Sequence, residues 1–438
     1  MTLLPFAPGS AWFVRVAAMG YLPREETVMP QSPRSVPCRW LAALAAAGAA
    51  TLAIIGFAQP ARAAVQPAIP TGSAWAVSLG DSYISGEAGR WAGNSDDSSQ
   101  TDALGPTAYY DTSSGESIPG CHRSKSAEIG FGTISGANLA CSGATTATQP
   151  YSSGNDFKPG LDFYNDGAGH IGQALALQNF AASHRVGMVV VSIGGNDFNF
   201  GTIVQDCVED FLSSPTWYKN YCNDDSTVTS NFTASNVSAV TANIATALRN
   251  VNTALSRDGY TTSDYSMVVQ TYPSPLPAGS GIRYSESGYT RQDTGGCGFW
   301  NADATWANTT MLPTVNNAVT SAANSTGLPN IKILNVTSLL NGRRLCETGV
   351  YKLQETSLAN WQSPGAVDLS EWVENIRTVT ATYGPYYVQE SLHPNYWGQL
   401  ALRNCLRQVY NGGTIRGGTC TRSANGLDSL GEPNVALQ

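Results

Sequence analysis

The run Met188–Ser192, with the sequence MVVVS, narrows the possible folds of this chain more than any other segment. Its apolar residues follow one another without the polar alternation of a strand that has one face in water, which is typical of a strand buried on both faces. Such strands belong to parallel sheets that carry helices on both sides. We therefore expect an α/β protein built on a parallel sheet.

Helices and strands are predicted to alternate along the rest of the chain. Apolar residues recur at helical spacing over 170–184 and 236–259, and glycine ends the second segment. Further β-favouring stretches read AWAVSLG, YSMVVQTY and IKILNVTSLL, and a closing helix is predicted over NYWGQLALRNCLRQVY. This order predicts one domain whose ligands bind beyond the carboxyl ends of its strands.

The N-terminal segment has the pattern of an exported chain. The apolar stretch Leu41–Ala58 follows basic residues, and Ala61-Arg62-Ala63 supplies a small-x-small cleavage pattern. A membrane anchor is the competing interpretation, because the stretch is about as long as a short transmembrane helix. We expect residues 1–63 to be a signal peptide together with an N-terminal extension. We expect translation to start at Met29, so that the first 28 residues do not belong to the protein. A single domain over 64–420 and a loose tail over 421–438 are then expected to be secreted, without stable membrane insertion after cleavage.

The charge balance bears on partners. Removing residues 1–63, which hold five arginines and two glutamates, leaves 19 basic and 30 acidic residues, a net charge of −11. No basic run or basic-aromatic stripe remains, which argues against nucleic acid as a partner. We expect a monomer that acts on a small-molecule or lipid substrate.

Eight cysteines follow the signal peptide, and an even number in an exported chain indicates disulfides. No C-x-x-C pair is present and only four histidines occur, which argues against a structural metal site. The sequence alone does not fix the connectivity. We expect sequential pairing, because it closes short loops: Cys121–Cys141, Cys207–Cys222, Cys297–Cys346 and Cys405–Cys420.

Two stretches could supply a nucleophile and part of its surroundings, although the G-x-S-x-G pattern of common serine esterases is absent. In GDSY, Gly80 permits a tight exit from the strand and Ser82 begins the next element. Taken alone, such a serine is an ordinary turn or N-cap residue. In NLACSGAT, Gly143 lets a backbone N–H approach a substrate, because no Cβ blocks it.

Two further stretches could supply a donor and a base. In GGND, Asn196 follows a buried strand and carries an amide suited to an oxyanion, although an Asx-turn is its ordinary role. In QESLHPN, His393 lies just before the last predicted helix, and histidine is the usual general base near neutral pH.

These four blocks, in this order, resemble the SGNH or GDSL hydrolase family, and in particular its secreted actinobacterial lipases and esterases. The resemblance spans residues 75 to about 410 and implies a three-layer, flavodoxin-like α/β/α sandwich that hydrolyses esters without a metal or other cofactor. It further implies that Ser82 is the nucleophile and His393 the base. The backbone N–H groups of Ser82 and Gly143, with the Asn196 side chain, would form the oxyanion hole.

The chain departs from the family pattern in one position. The family has an aspartate three residues before the histidine, where this chain has Glu390. Either Glu390 completes a catalytic triad by orienting His393, or a backbone carbonyl does so and the site is a dyad. We favour Glu390.

Three functions compete. The first is a secreted lipase or esterase, and a phospholipase A is among the activities that this allows. Loop aromatics such as Trp217, Tyr218, Phe299 and Trp300 would then line an acyl site. The ordinary alternative is that these aromatics pack around nearby disulfides. The second is a carbohydrate or cell-wall O-deacetylase that uses the same site. The third is a binding protein with vestigial catalytic residues, against which the intact set of four argues.

Overall fold

A seven-stranded sheet runs through the structure, a computed structural model that describes residues 67–152, 156–377 and 389–438. The strand order is β2-β1-β3-β4-β5-β6-β7, and all neighbours pair in parallel except the antiparallel pair β6 and β7. The signal peptide, its cleavage pattern and the start expected at Met29 lie outside the described residues. The strands are β1 Trp75–Gly80, β2 Ser135–Asn138, β3 Val186–Ser192, β4 Ser266–Gln270, β5 Ile331–Asn335, β6 Gly418–Leu427 and β7 Pro433–Leu437.

Helices cover both faces of the sheet. Along β3, Met188 and Val190 belong to one apolar core, while Val189 and Val191 belong to another. Because successive side chains of a strand point to opposite faces, the continuous apolar run is explained by a helical layer on each side. The α-helices are α1 Ser82–Ser85, α2 Gln173–Ala181, α3 Phe200–Ser213, α4 Ser226–Thr229, α5 Ala234–Arg257, α6 Thr290–Asp293, α7 Asn301–Trp306, α8 Leu312–Ser325, α9 Ala366–Leu369 and α10 Tyr396–Tyr410.

The two layers are built from different parts of the chain. Leu177 of α2, Leu248 of α5 and Val319 of α8 pack on one face, and Leu402 of α10 packs on the other. The helices predicted over 170–184 and 236–259 are α2 and α5, each shifted by a few residues at its ends. The α/β/α architecture with a central parallel sheet, expected from the sequence, is confirmed.

The expectation of a loose tail over 421–438 is wrong. These residues complete β6 and form β7, which pair so that Cys420 lies opposite Leu437. The hairpin is polar on its outer side, and only a few side chains, among them Val435, reach the core. Its stability therefore comes from backbone pairing and from contacts with α10, including the ion pair of Arg407 with Glu432, which hydropathy does not reveal.

All four disulfides follow the sequential pairing expected from the sequence. Cys121–Cys141 joins two loops on either side of β2, and Cys207–Cys222 closes the loop after α3. In the described part of the chain, no helix is both long and apolar enough to cross a bilayer.

Candidate active site

The end of β1 places Ser82. At Gly80 the backbone has φ +135°, and a Cβ there would lie 1.8 Å from the carbonyl oxygen of Ser192 on β3. Only glycine fits this close approach of two neighbouring strands. Asp81 caps α1 by accepting a hydrogen bond from the Tyr83 N–H at 3.2 Å, and Ser82 is the first residue of the helix. The N–H of Ser82 consequently has no partner within the helix.

His393 lies against Ser82. Its Nε2 is 2.6 Å from Ser82 Oγ, and its Nδ1 is 3.0 Å from the carbonyl oxygen of Ser391. Because a carbonyl can only accept, Nδ1 carries the proton, and the lone pair of Nε2 is left to accept from the Ser82 hydroxyl. The arrangement is that of a nucleophile hydrogen-bonded to its base, which a third group orients.

The carboxyl group of Glu390 makes no hydrogen bond to the ring of His393, and the favoured prediction of a triad is wrong. This group instead accepts a hydrogen bond from Trp91 Nε1, at 2.7 Å, and is hydrogen-bonded to the Tyr109 hydroxyl. The alternative, a backbone carbonyl as the orienting group, is what the structure has. The reason is that Trp91 and Tyr109, which belong to a distant part of the chain, hold the Glu390 carboxyl group, while Leu392 adopts φ +61° in the turn before His393.

The loop that carries His393 is held by α1. The Tyr83 hydroxyl donates to the Leu392 carbonyl at 2.9 Å, and the Tyr83 ring packs on the imidazole with 4.9 Å between ring centroids. The Leu392 N–H donates to the Glu374 carbonyl at 3.0 Å. These contacts keep a non-glycine residue in the left-handed region, which costs on the order of 1–3 kcal/mol and persists only when its surroundings enforce it.

Gly143 and Asn196 border the same cleft as Ser82 and His393, which has a volume of about 730 Å³. Gly143 has φ +79°, and its N–H makes no hydrogen bond within the described residues. The Asn196 Nδ2 donates to the Ala144 carbonyl at 2.9 Å, which ties the two donor-bearing loops together. The structure therefore gathers the predicted nucleophile, base and oxyanion donors around one space.

An apolar pocket adjoins Ser82 and Asn196 on the other side. It is narrow and is lined mainly by core side chains: Tyr83, Phe198, Phe200, Ile203, Phe232, Tyr272, Met311, Leu312 and Val315. The loop aromatics expected at an acyl site are not among them. Trp217 and Tyr218 are 86% and 74% exposed, whereas Phe299 and Trp300 are buried. Packing, the ordinary alternative, accounts for the last two, since Trp300 contacts Phe211.

Three residues that sequence reasoning missed hold the site together. Gln173 of α2 accepts from the Gly80 N–H at 2.7 Å and donates to the Gly80 carbonyl at 2.8 Å. The Tyr272 hydroxyl donates to Asp81 and accepts from the Gly195 N–H at 2.9 Å. These residues carry no local signal, because their roles exist only once β1, β3 and β4 are side by side.

The third missed residue could have been found from its motif. Asp197, the last residue of GGND, accepts hydrogen bonds from both the N–H and the hydroxyl of Thr146, three residues after Gly143. It thus fastens one donor-bearing loop to the other.

Burial controls the charges at the site. Burial lowers the pKa of His393 below its ordinary value of 6.5, although nearby Glu87 opposes the effect. The imidazole is therefore neutral at pH 7, as a general base must be. Burial also raises the pKa of Asp81 to about 7, even though the Tyr272 hydroxyl lowers it. Within the described residues, no cluster of three or more His, Cys, Asp or Glu side chains has the arrangement of a metal site.

Comparisons with known proteins give only distant structural matches. The chain matches no model of a protein family and no curated protein. Among solved structures, it is similar to an extracellular lipase from Streptomyces rimosus, with 20% identity and a TM-score of 0.40 over 77% of this chain and 99% of the other. It is also similar to phospholipase A1 from Streptomyces albidoflavus NA297, with 18% identity and a TM-score of 0.37 over the same shares. Likeness at this level assigns neither a family nor an activity to the chain.

Proposed function

We propose that this protein is a serine ester hydrolase of the SGNH type that uses a Ser82–His393 dyad. The proposal is carried by the 2.6 Å contact between Ser82 Oγ and His393 Nε2, with Nδ1 engaged by the Ser391 carbonyl. A hydroxyl held by a neutral imidazole can lose its proton as it attacks a carbonyl.

The reaction has two halves. Ser82 Oγ attacks the ester carbon while His393 Nε2 takes its proton, and negative charge develops on the carbonyl oxygen. The N–H groups of Ser82 and Gly143 and the Asn196 amide stabilise this charge. His393 then returns the proton to the departing alcohol, which leaves the acyl group on Ser82. In the second half, water attacks the acyl group, His393 again takes and returns a proton, and a carboxylic acid is released.

The two spaces at Ser82 suggest how an ester is divided between them. The narrow apolar pocket has a volume of about 40 Å³, which leaves room only for the carbons nearest the ester. The larger cleft is lined by apolar side chains, among them Phe200, Val204 and Leu212, which suit the rest of an acyl chain, since burying each CH₂ contributes about 0.8 kcal/mol. Its polar residues Gln205, Arg377 and Gln389 suit a polar alcohol. We therefore propose a lipid ester as the substrate. Four disulfides support a secreted protein, because such bonds persist in oxidising compartments.

Labelling with a fluorophosphonate probe tests the nucleophile. We expect the probe to attach to Ser82, and Ser82→Ala and His393→Ala to abolish both labelling and turnover. Ser183→Ala, which changes an exposed serine outside the cleft, is the control and should label normally. A wild-type protein that stays unlabelled would indicate a vestigial site instead.

A chain-length series tests the substrate class. With p-nitrophenyl esters from acetate to palmitate, we expect activity to persist beyond butyrate because apolar side chains line the cleft. Activity confined to acetate would favour the carbohydrate or cell-wall O-deacetylase.

A further inference from the structure

A buried carboxylate lies behind the candidate site, where the proposed reaction does not use it. Glu87 lies two residues after the end of α1, and its Oε1 is 2.6 Å from His122 Nδ1. Both side chains are completely buried. The His122 ring stacks on Tyr109 with 4.4 Å between centroids, and Glu116 Oε1 lies 3.6 Å from His122 Nε2. We call Glu87 and His122 the buried pair.

Each member of the buried pair favours the charged form of the other. Burial raises the pKa of Glu87, but the His122 imidazole, with smaller contributions from His393 and Ser142, more than offsets this, so that the pKa lies below its ordinary value of 4.5. Burial lowers the pKa of His122, but Glu87, together with Glu116 and Glu390, outweighs it and raises the pKa above its ordinary value. A buried ion pair adds little to stability over an apolar pair of similar volume, so stability alone does not account for it.

The buried pair reaches the loop that carries Gly143. Gln389 Nε2 lies 3.1 Å from Glu87 Oε2, 2.9 Å from Ser142 Oγ and 2.9 Å from the Gly120 carbonyl, and its two hydrogens are shared among these three acceptors. Ser142 directly precedes Gly143, and His122 directly follows Cys121 of the Cys121–Cys141 disulfide. The carboxylate thus fastens both sides of the turn from which the Gly143 N–H points.

Glu87 also acts on His393 by charge. After burial, its negative charge is the largest influence on the pKa of His393, and it raises that pKa, whereas the positive His122 lowers it more weakly. Other charged or titratable groups lie around Glu87, His122 and His393 and belong to several parts of the chain: Asp81, Glu116, Lys158, Glu374, Arg377 and Glu390.

We infer that Glu87 is a positioning residue of the active site, which holds the Gly143 donor in place through Gln389 and Ser142 and supports the basicity of His393 through its charge. This inference rests on the proposed ester hydrolysis at Ser82.

The test compares Glu87→Gln with Glu116→Gln. Glu87→Gln keeps the shape but removes the charge, so we expect kcat to fall about 10-fold with little change in KM, as for a misplaced catalytic group. The acidic limb of the kcat/KM profile should move to lower pH, because His393 loses the charge that raises its pKa. Glu116→Gln also removes a charge beside His122, but its carboxylate is not among the groups that act on His393, and its profile should match that of the wild type.

A second variant separates the positioning of Gly143 from the effect of charge on His393, and it keeps the inference testable if Glu87→Gln does not fold. Ser142→Ala removes one acceptor of Gln389 and a hydrogen bond to Glu87 but keeps the Glu87 charge and its contact with His122, so kcat should fall while the acidic limb stays in place. If Glu87→Gln folds and its acidic limb does not move, or if Ser142→Ala has wild-type kcat, the inference is overturned. Should Glu87→Gln not fold, Ser142→Ala decides alone. Fluorophosphonate labelling of wild-type Ser82 distinguishes this failure from that of the proposed function, since only the latter abolishes labelling.

Discussion

At the scale of single residues, the orientation of His393 depends on the Ser391 carbonyl. A carbonyl fixes the tautomer of the ring as a carboxylate would, but it adds no full charge when the imidazolium forms. The negative charge with the largest effect on the pKa of His393 is instead that of Glu87. Orientation and charge support, which a single aspartate supplies in a triad, are here divided between two residues.

Glu390→Gln tests this division. Burial raises the pKa of Glu390 to about 8, so the carboxyl is protonated at pH 7, and glutamine resembles it in shape and charge. Since its partners are Trp91 and Tyr109 rather than His393, we expect kcat at pH 7 to stay within about 10-fold of the wild type, well short of the roughly 10⁴-fold loss typical of a triad acid. Steady-state kinetics on p-nitrophenyl butyrate measures it, and a 10³-fold loss would return Glu390 to the catalytic centre.

Asn196→Ala tests the side-chain oxyanion donor. We expect kcat to fall by about 10²–10³, or roughly 3–4 kcal/mol, with KM little changed, because the donor acts on charge present only in the transition state. Asn250→Ala is the control, since its amide also donates to a backbone carbonyl, that of Leu161, outside the cleft. Equal kcat in the two variants would show that Asn196 only bridges loops.

At the scale of elements, the close pairing of β1 and β3 at their carboxyl ends sets the position of the candidate nucleophile. Gly80 lies against Ser192 there, and Gln173 hydrogen-bonds both backbone groups of Gly80. The sheet edge and the start of α1 are thus fixed by one contact between backbones.

Gly80→Ala should therefore be strongly destabilising. The added Cβ would overlap the Ser192 carbonyl and occupy a left-handed backbone, so we expect a loss of about 3 kcal/mol or more in the free energy of unfolding. Gly115→Ala, where a Cβ meets nothing within 4 Å, should change it by less than about 0.5 kcal/mol. Urea denaturation followed by fluorescence measures both variants, and similar free energies of unfolding for the two would contradict the close approach of Gly80 to Ser192.

The elements also show what a sequence reveals. The strands were predictable because apolar runs such as Met188–Ser192 need two covering layers, and Ser82 and Asn196 because they follow strand ends. The direction of the Glu390 side chain was not, since its partners Trp91 and Tyr109 lie far away along the chain. Glu87 and His122 were missed because they lie 35 residues apart in loops with no periodic pattern.

At the scale of the whole molecule, buried carboxyl groups dominate the response to pH. Burial raises the pKa values of five of them, to about 7 for Asp81, Asp303 and Glu374 and to about 8 for Glu128 and Glu390. In the unfolded chain these groups lose their protons near pH 4. Their contribution to stability is thus complete below about pH 4 and is lost as pH rises towards 8.

The free energy of unfolding should accordingly be lower at pH 9 than at pH 5, by on the order of 3 kcal/mol or more. Glu128→Gln should reduce this difference, because burial raises the pKa of Glu128 to about 8 and glutamine can keep the contact with Gln270. Urea denaturation at pH 5, 7 and 9 measures the effect. A wild-type stability that is constant or rises over this range would contradict the buried, protonated carboxyls.

The sequential disulfides have a consequence for biogenesis. Their partners are separated by 20, 15, 49 and 15 residues, and no bridge encloses or crosses another. For a chain threaded N-terminus first into an oxidising compartment, the correct partner of each unpaired cysteine is always the next one to arrive. Oxidation in order of arrival then yields the native set directly, and no bond has to be broken and re-formed on the way.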